Sequence, residues 1–263
     1  MISSLAAIIQ QKKREVALLR QKLMQGINVE IAKVLAGELP SRLVPSFNSV
    51  LKSTMLTVIA EIKRKSPSKG MIAPIIDPVY LAKRYIKGGA QALSILTDHK
   101  FFGGQINDLS KVATALQRVP IIRKDFIIDR VQIAEAAVAG ASAVLLIVAV
   151  LGHQTKELLR YAQSINLDAL VEIHDHDELN IALDCGADII GVNNRCLHSF
   201  AVDSKRAMQL VTAIPSPIIK IAESGISNPA LARQYYHAGF DAVLIGEVLV
   251  KSTNPVQFIT ECL

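Results

Sequence analysis

Some polar side chains in this chain stand where apolar ones are expected. Short β-branched or aliphatic runs recur along it, and strands buried on both faces should read as apolar throughout. Glu61 and Lys63 interrupt the first run, TVIAEIK (57–63), two residues apart and therefore on one face of a strand. Lys124 interrupts PIIRKDF (120–126). Glu172 is expected to end the fifth run, DALVEI (168–173), Asn193 the sixth, IIGVNN (189–194), and Glu223 the seventh, IIKIAES (218–224), with Arg195 two residues beyond Asn193. Lysine and glutamate side by side in a dry cavity keep each other ionised and pass protons, which is the chemistry of general acid–base catalysis. A lone residue of this kind is usually a salt bridge or a solvated rim group. Breaks at the same end of several strands point instead to one shared opening.

Three segments are suited to an anion. Lys65-Ser66-Pro67-Ser68-Lys69-Gly70 follows the first run, Glu223-Ser224-Gly225-Ile226-Ser227 follows the seventh, and Gly246-Glu247-Val248-Leu249 follows the eighth. Glycine lets the backbone approach a phosphate, and unpaired amides point at it. Glu172, His174 and His176 alternate as metal ligands can. However, the two histidines flank an expected helix cap at Asp175, and no further Cys/His cluster supports a metal. His99, His153, His198 and His237 read as loop or surface residues.

The elements that must position these groups follow from the same rhythm. Eight strand candidates are expected, the other three being ALSILT (92–97), AVLLIV (143–148) and AVLIGE (242–247). Between them lie helical stretches such as Pro78–Lys87, Val131–Ala139, His153–Ser164, Asp177–Cys185 and Pro229–Ala238. Asp77, Asp175 and Asn228 are capping residues at helix starts, and Gly88, Gly140, Gly186 and Gly239 stand at helix ends. Strand–helix alternation implies a parallel sheet, and eight units favour closure into a (β/α)8 TIM barrel. An open doubly wound sheet is the structural alternative, weakened by the lack of a GxGxxG after the first strand. Ahead of the barrel, Leu5, Ile8, Ile9, Val16, Leu19 and Leu23 recur at helical spacing with Gln, Lys and Arg between them, and a loop with Pro40 and Pro45 follows.

With 263 residues, 51% hydrophobic and 20% charged, the chain suits one α/β barrel domain over 1–263, with a helical extension over 1–50 and the barrel over 51–263. A net charge of +6 with scattered basic residues, no Trp and only 5% aromatics argues against nucleic acid and for a small anionic substrate. The uncharged run 139–152 is too short to span a bilayer and reads as a buried strand followed by a turn. Three widely spaced cysteines, Cys185, Cys196 and Cys262, form no disulfide framework and fit a reducing cytoplasm. A monomer is expected, since no apolar helix face beyond the N-terminal one stands out.

Taken together, AEIKRKSPSKG (60–70), SILTDHKFFGG (94–104), IIRKDFIID (121–129), LLIVAVL (145–151), LVEIHDHDEL (170–179), GVNNRCL (191–197), ESGIS (223–227) and LIGEVL (244–249) resemble the indole-3-glycerol-phosphate synthase family. They do so in family order and spacing over nearly the whole chain after about residue 50. The resemblance implies ring closure, decarboxylation and dehydration of 1-(2-carboxyphenylamino)-1-deoxyribulose 5-phosphate in tryptophan synthesis, with no cofactor and no metal. By motif position, Lys124 resembles the general acid, and Lys63 the partner of the substrate carboxylate. Glu61 and Glu172 resemble the carboxylates that stabilise charge and move protons. Asn193, Arg195, Glu223 and Ser224 resemble residues that hold hydroxyls and orient the lysines. Lys65, Ser66, Gly225, Gly246 and Glu247 resemble the phosphate site, and Phe102, Phe126, Leu145 and Leu197 the contacts to the aromatic ring. Cys196 departs from the pattern, standing where the family commonly has Asp. Two rival readings are another phosphate-binding barrel, such as an isomerase, which lacks the paired EIK and RKDF lysines, and a non-catalytic scaffold, against which the full polar set argues.

Overall fold

A computed structural model describes residues 5–39, 46–197 and 199–263. The expected loop with Pro40 and Pro45, and His198, lie outside the described residues. Eight parallel strands close into a barrel: β1 (Thr57–Ile62), β2 (Ala92–Leu96), β3 (Ile121–Lys124), β4 (Ala143–Ile147), β5 (Asp168–Ile173), β6 (Ile189–Asn193), β7 (Ile219–Glu223) and β8 (Ala242–Ile245). Each pairs with its sequence neighbours, and β1 pairs with both β2 and β8, so no open sheet edge remains. Closure excludes the open-sheet alternative.

The strands match the apolar runs, trimmed at their ends. β5 continues one residue past Glu172 to Ile173. Two helical details differ from the sequence reading. The segment after β4 is a helical turn, Val148–Leu151, because Val148 and Leu151 bury against the core. The next helix starts with a 3-10 turn at Gly152–Gln154 and runs as an α-helix over Thr155–Ser164. The caps act through their side chains: Asp77 accepts from Val79 and Tyr80 amides, Asp175 from Glu178, and Asn228 from Leu231.

Alternation along each strand sorts the core into two parts. Val58, Ala60 and Ile62 of β1 pack in the outer layer under the helices, whereas Ile59 belongs to an inner cluster with Ile122, Leu145, Leu170, Ile189, Ile221 and Leu244. A residue two positions beyond an inner one faces inward too. That rule carries Glu61 after Ile59, Lys124 after Ile122, Glu172 after Leu170 and Glu223 after Ile221 into the barrel at its C-terminal end. In the register Ile147 lies opposite Glu172 and Asn193 opposite Glu223.

The N-terminal segment forms α1 (Leu5–Met24), α2 (Val29–Leu35) and α3 (Phe47–Leu51). Leu5, Ile8, Phe47 and Leu51 join the inner cluster, while α1 and α2 lie against the helix Arg130–Val138. The periodicity of α1 assigns its lysines to solvent, but Lys12 is only 2% exposed. Its ammonium sits 2.9 Å from Asp98 and 2.8 Å from Asp125, both buried, and 2.8 Å from Glu15. Asp98 follows β2 and caps the short helix His99–Phe102, while Asp125 follows Lys124. One buried cation thus ties the extension to the loops after two neighbouring strands.

Removing one partner of a buried ion pair costs about 3–5 kcal/mol, because the remaining charges stay desolvated. Lys12→Ala is therefore expected to lower unfolding stability on that scale, measured by urea unfolding near neutral pH. The penalty is pH-dependent. Burial pushes the Asp125 carboxyl up, but Lys12 and Arg123 outweigh this and hold it below its ordinary 3.8. The stabilisation linked to a depressed acid is complete above its unfolded value and lost as pH falls through its folded one, so the gap between wild type and variant closes below about pH 4.

Candidate active site

At the C-terminal end of the barrel the inward polar side chains surround a cavity of roughly 450 Å³. Lys124 stands at its floor. Its ammonium donates to Glu172 Oε2 at 3.1 Å and, in a very short contact, to Glu223 Oε2. Beside it Lys63 donates to Glu61 Oε1 at 2.7 Å, and Ser94 Oγ donates to Glu61 Oε2 at 3.2 Å. The far oxygens of Glu172 and Glu223 are buried and have no hydrogen-bond partner among the described residues.

Two glycines make room for these carboxylates. A Cβ on Gly191 of β6 would lie 2.1 Å from Glu223 Oε1, and one on Gly246 would lie 2.5 Å from Glu61 Oε1. Gly191 occupies an inward position of β6 and Gly246 directly follows β8, so each missing side chain is replaced by a carboxylate from the adjacent strand, β7 for Gly191 and β1 for Gly246. Asn194, fully buried behind the wall, donates to Ser224 O at 3.1 Å and to Tyr235 Oη at 2.9 Å, and its Oδ1 accepts from Ala207 N. It thereby braces the turn at Ser224 and Gly225, both in the left-handed region with φ of 65° and 81°. Such a conformation is costly at Ser224, and the surrounding bonds must enforce it.

The charges in the cavity shift one another. Burial opposes the Lys124 ammonium, but Glu223, Glu172 and Glu61 outweigh burial and hold its pKa well above the usual lysine range. Burial pushes the Glu223 carboxyl up to about 7; Lys124 opposes this, and Glu172 and Glu61 add to it. Glu172 is also penalised by burial, yet Lys124, His174 and Asn193 hold it below the ordinary carboxylate value. One ammonium between two carboxylates therefore leaves one carboxylate firmly ionised and the other near neutrality.

Beside this cluster the cavity is also lined by Ser66, Ser68, Lys69, Gly225, Gly246 and Lys251. Glu247 lies there as well, bridged by Lys69 at 2.7 Å and Lys251 at 2.8 Å. Burial raises its carboxyl, but the hydrogen bonds from Lys251 and Lys69 outweigh this and bring it to about 2. An apolar wall carries Leu145, Leu197, Phe126 and Phe102, the two rings 6.0 Å apart and tilted by 39°. Arg195 lines the rim, its Nη1 donating to Phe200 O at 2.9 Å and its backbone N–H to Asn193 Oδ1 at 2.9 Å.

Of the residues that the sequence singles out, the structure gathers all but one around this cavity. Lys65 does not line it. It sits in a two-residue strand, Lys65–Ser66, paired antiparallel with Gly70–Met71, and its ammonium turns away to Lys100 O at 2.5 Å. Lys69, across that hairpin, lines the cavity instead. Sequence reasoning also missed Lys12, Lys251 and Asp125; the run of Lys and Ser over 65–69 signalled an anion-ready loop but not which lysine would face it. Cys196 is not part of the lining: its backbone closes the loop through bonds to Ala201 and Phe200. His174 engages Glu178 at 3.0 Å. Among the described residues no His, Cys, Asp and Glu group is arranged to hold a metal ion, and no helix is long and apolar enough to cross a membrane.

Fold and site together define a (β/α)8-barrel enzyme whose C-terminal mouth joins an acid–base cluster, an apolar wall and a basic, glycine-lined end. The profile described as indole-3-glycerol phosphate synthase matches residues 5–262. A relative of that name from Thermoanaerobacter pseudethanolicus (strain ATCC 33223 / 39E) is 40% identical over 254 residues, covering 97% of this chain and 95% of its own. Another from Pelodictyon phaeoclathratiforme (strain DSM 5477 / BU-1) is 43% identical over 254 residues, covering 95% and 96%. Among solved structures, thiamine phosphate pyrophosphorylase from Pyrococcus furiosus superposes with a TM-score of 0.58 at 16% identity, covering 79% of this chain and 93% of that one, a likeness of fold alone. The chain belongs to the indole-3-glycerol phosphate synthase family.

The seating of Glu223 over Gly191 can be tested without any substrate. Gly191→Ala overpacks the site and is expected to cost about 1–3 kcal/mol. In a Glu223→Ala background the cost shrinks, since the closest clash is gone and only Leu170 remains near. Equal costs in both backgrounds, read from unfolding curves, would contradict this placement.

Proposed function

We propose that this chain converts 1-(2-carboxyphenylamino)-1-deoxyribulose 5-phosphate to indole-3-glycerol phosphate, releasing carbon dioxide and water. The observation that carries this reading is the Lys124 ammonium, buried on the cavity floor between Glu172 and Glu223 with the Lys63–Glu61 pair beside it. The substrate has an aromatic ring with a carboxylate at one end and a phosphate at the other. The apolar wall of Phe102, Phe126, Leu145 and Leu197 accommodates the ring, and Lys63 pairs with its carboxylate. The phosphate lies at the basic end, against Ser66, Lys69, Lys251 and the backbone of Gly225, Gly246 and Glu247. Fixing both ends holds the ring carbon against the ketone carbon and removes much of the entropic barrier to closure.

Attack by the ring carbon places negative charge on the former ketone oxygen. Lys124 neutralises it by giving up a proton, while the buried carboxylates stabilise positive charge developing on the ring nitrogen. Loss of carbon dioxide restores the aromatic ring. Dehydration then needs an acid at the departing hydroxyl and a base at the neighbouring carbon. Lys63 supplies the acid, and Glu61 and Glu172 are the carboxylates placed to take the proton. Asn193, Arg195, Ser224 and Glu223 hold hydroxyls and keep Lys124 in place. We assign the enzyme to the reducing cytoplasm, acting as a monomer on a small anionic substrate; no two of its cysteines are joined in a disulfide.

Two measurements test this. Incubation with the carboxyphenylamino substrate is expected to produce indole fluorescence, and Lys124→Ala to lower kcat by about 10²–10⁴-fold with an unchanged circular dichroism spectrum. Normal turnover in that variant would refute the acid. The pH profile gives the second. Glu223 has a raised pKa of about 7, so it is ionised above that pH and takes up a proton below it. A protonated Glu223 no longer holds Lys124, so kcat falls as pH drops through about 7, and Glu223→Gln shows a lower, flat profile over the same range.

A further inference from the structure

We propose that His174 is a positioning residue for Glu172, an imidazolium clamped between Glu178 and Glu172 that fixes which carboxylate oxygen faces Lys124. The inference rests on the role given to Glu172 above. His174 stands one residue past Glu172's neighbour on β5, just outside the cavity lining, with its side chain 10% exposed. Its Nδ1 lies 3.0 Å from Glu178 Oε2, which also accepts from the His174 backbone N–H at 2.8 Å. Glu178 is itself held by the helix start, where the Asp175 side chain accepts from the Glu178 N–H at 2.9 Å. The ring is therefore oriented by the cap of the helix His176–Cys185, and its other nitrogen, Nε2, faces Glu172 Oε1 at 3.6 Å.

The proton count follows from that orientation. A carboxylate at Nδ1 requires a proton there, so a neutral ring would present a bare lone pair at Nε2 to Glu172 Oε1. Both atoms are buried and have no other hydrogen-bond partner among the described residues. A lone pair against a carboxylate oxygen is repulsive; a second proton on the ring turns it into attraction. The groups facing the ring agree: Glu172 from β5 and Glu178 from its helix favour the cation, while burial and Arg206, from the helix Lys205–Leu210, oppose it, and the net shift is upward from 6.5. With Oε1 held by His174, Oε2 is left for Lys124, the contact seen at 3.1 Å.

The experiment combines a readout without substrate and one with it. In the whole enzyme labelled with 15N-histidine, the resonances lost in His174→Gln identify the ring, and at about pH 7 both of its nitrogens are expected to carry protons. A bare Nε2 there would overturn the proposal, whatever the activity. In turnover, His174→Leu is expected to lower kcat by about tenfold or more with KM little changed, the scale on which partners of a catalytic group act. The wild-type kcat is also expected to fall on the alkaline side, where His174 loses its second proton; Gln can place an amide donor near the Nε2 position, so His174→Gln retains most of the rate but loses this alkaline limb. Glu178→Gln moves that limb to lower pH. Wild-type turnover with unchanged rates and limbs in all three variants would overturn the role of His174 alone. Absence of turnover in the wild type would overturn the reading of the site on which it rests.

Discussion

The site depends on the burial of one ammonium between two carboxylates. Placing Lys124, Glu172 and Glu223 together out of water is expensive unless every charge has a partner within hydrogen-bonding reach. That condition demands strands three, five and seven in one closed ring, because β3, β5 and β7 are never adjacent in it. An open sheet would leave these side chains on separate stretches of one face. The closed barrel aims them at a common axis, and the layers of aliphatic residues beneath keep water from the floor. Stability and chemistry thus make opposite demands at one level of the barrel. The apolar layers below are well packed, and the polar layer above them is held by ionic pairing.

Support for that layer comes from outside the barrel strands. Lys12 reaches from α1 to Asp98 and Asp125, and Asp125 also accepts from Thr97 Oγ1 at 2.5 Å and Arg123 Nη2 at 3.3 Å. Asp98 and Asp125 lead into the segments bearing Phe102 and Phe126, the apolar wall. A buried cation in a helix that looks like surface decoration therefore ties down the two segments that carry the apolar wall. The same logic applies at the opposite side, where Asn194 holds the strained turn at Ser224 against Tyr235. In each case a buried polar group behind the wall fixes a backbone segment in front of it.

The sequence makes much of the fold legible, since parallel strands covered on both faces are continuous apolar runs and any polar residue in them stands out. Glu61, Lys124 and Glu223 are visible for that reason, and their inward direction follows from spacing alone. Other features are hidden for physical reasons. Lys12 obeys the polar stripe of an amphipathic helix, and only tertiary contact shows that its stripe faces two aspartates. Lys65 and Lys69 share a loop whose hairpin turns one lysine out and the other in, so composition cannot choose between them. Gly191 reads as an ordinary strand glycine, and Gly246 as part of an anion-suited segment, until the carboxylates lying over them are seen. His174 reads as a loop histidine next to a cap, and its partner Glu178 lies one helical turn away on the same cap.

The balance of charge on the cavity floor has a consequence for the reaction cycle. Glu61, Glu172 and Glu223 face Lys63 and Lys124, and Glu172 shares the His174 imidazolium with Glu178, so four carboxylates meet three cations and the cluster carries an excess negative charge when all are ionised. Glu223 absorbs that excess, which is why its carboxyl rises toward neutrality while Glu172 stays low. By linkage, any further negative charge brought into the cavity favours proton uptake at Glu223, the carboxylate that is easiest to protonate, and so loosens its hold on Lys124. In the proposed reaction the substrate carboxylate brings such a charge, and its pairing with Lys63 is what keeps Glu223 ionised and the Lys124 ammonium in place. Loss of carbon dioxide then relieves the cavity of that charge.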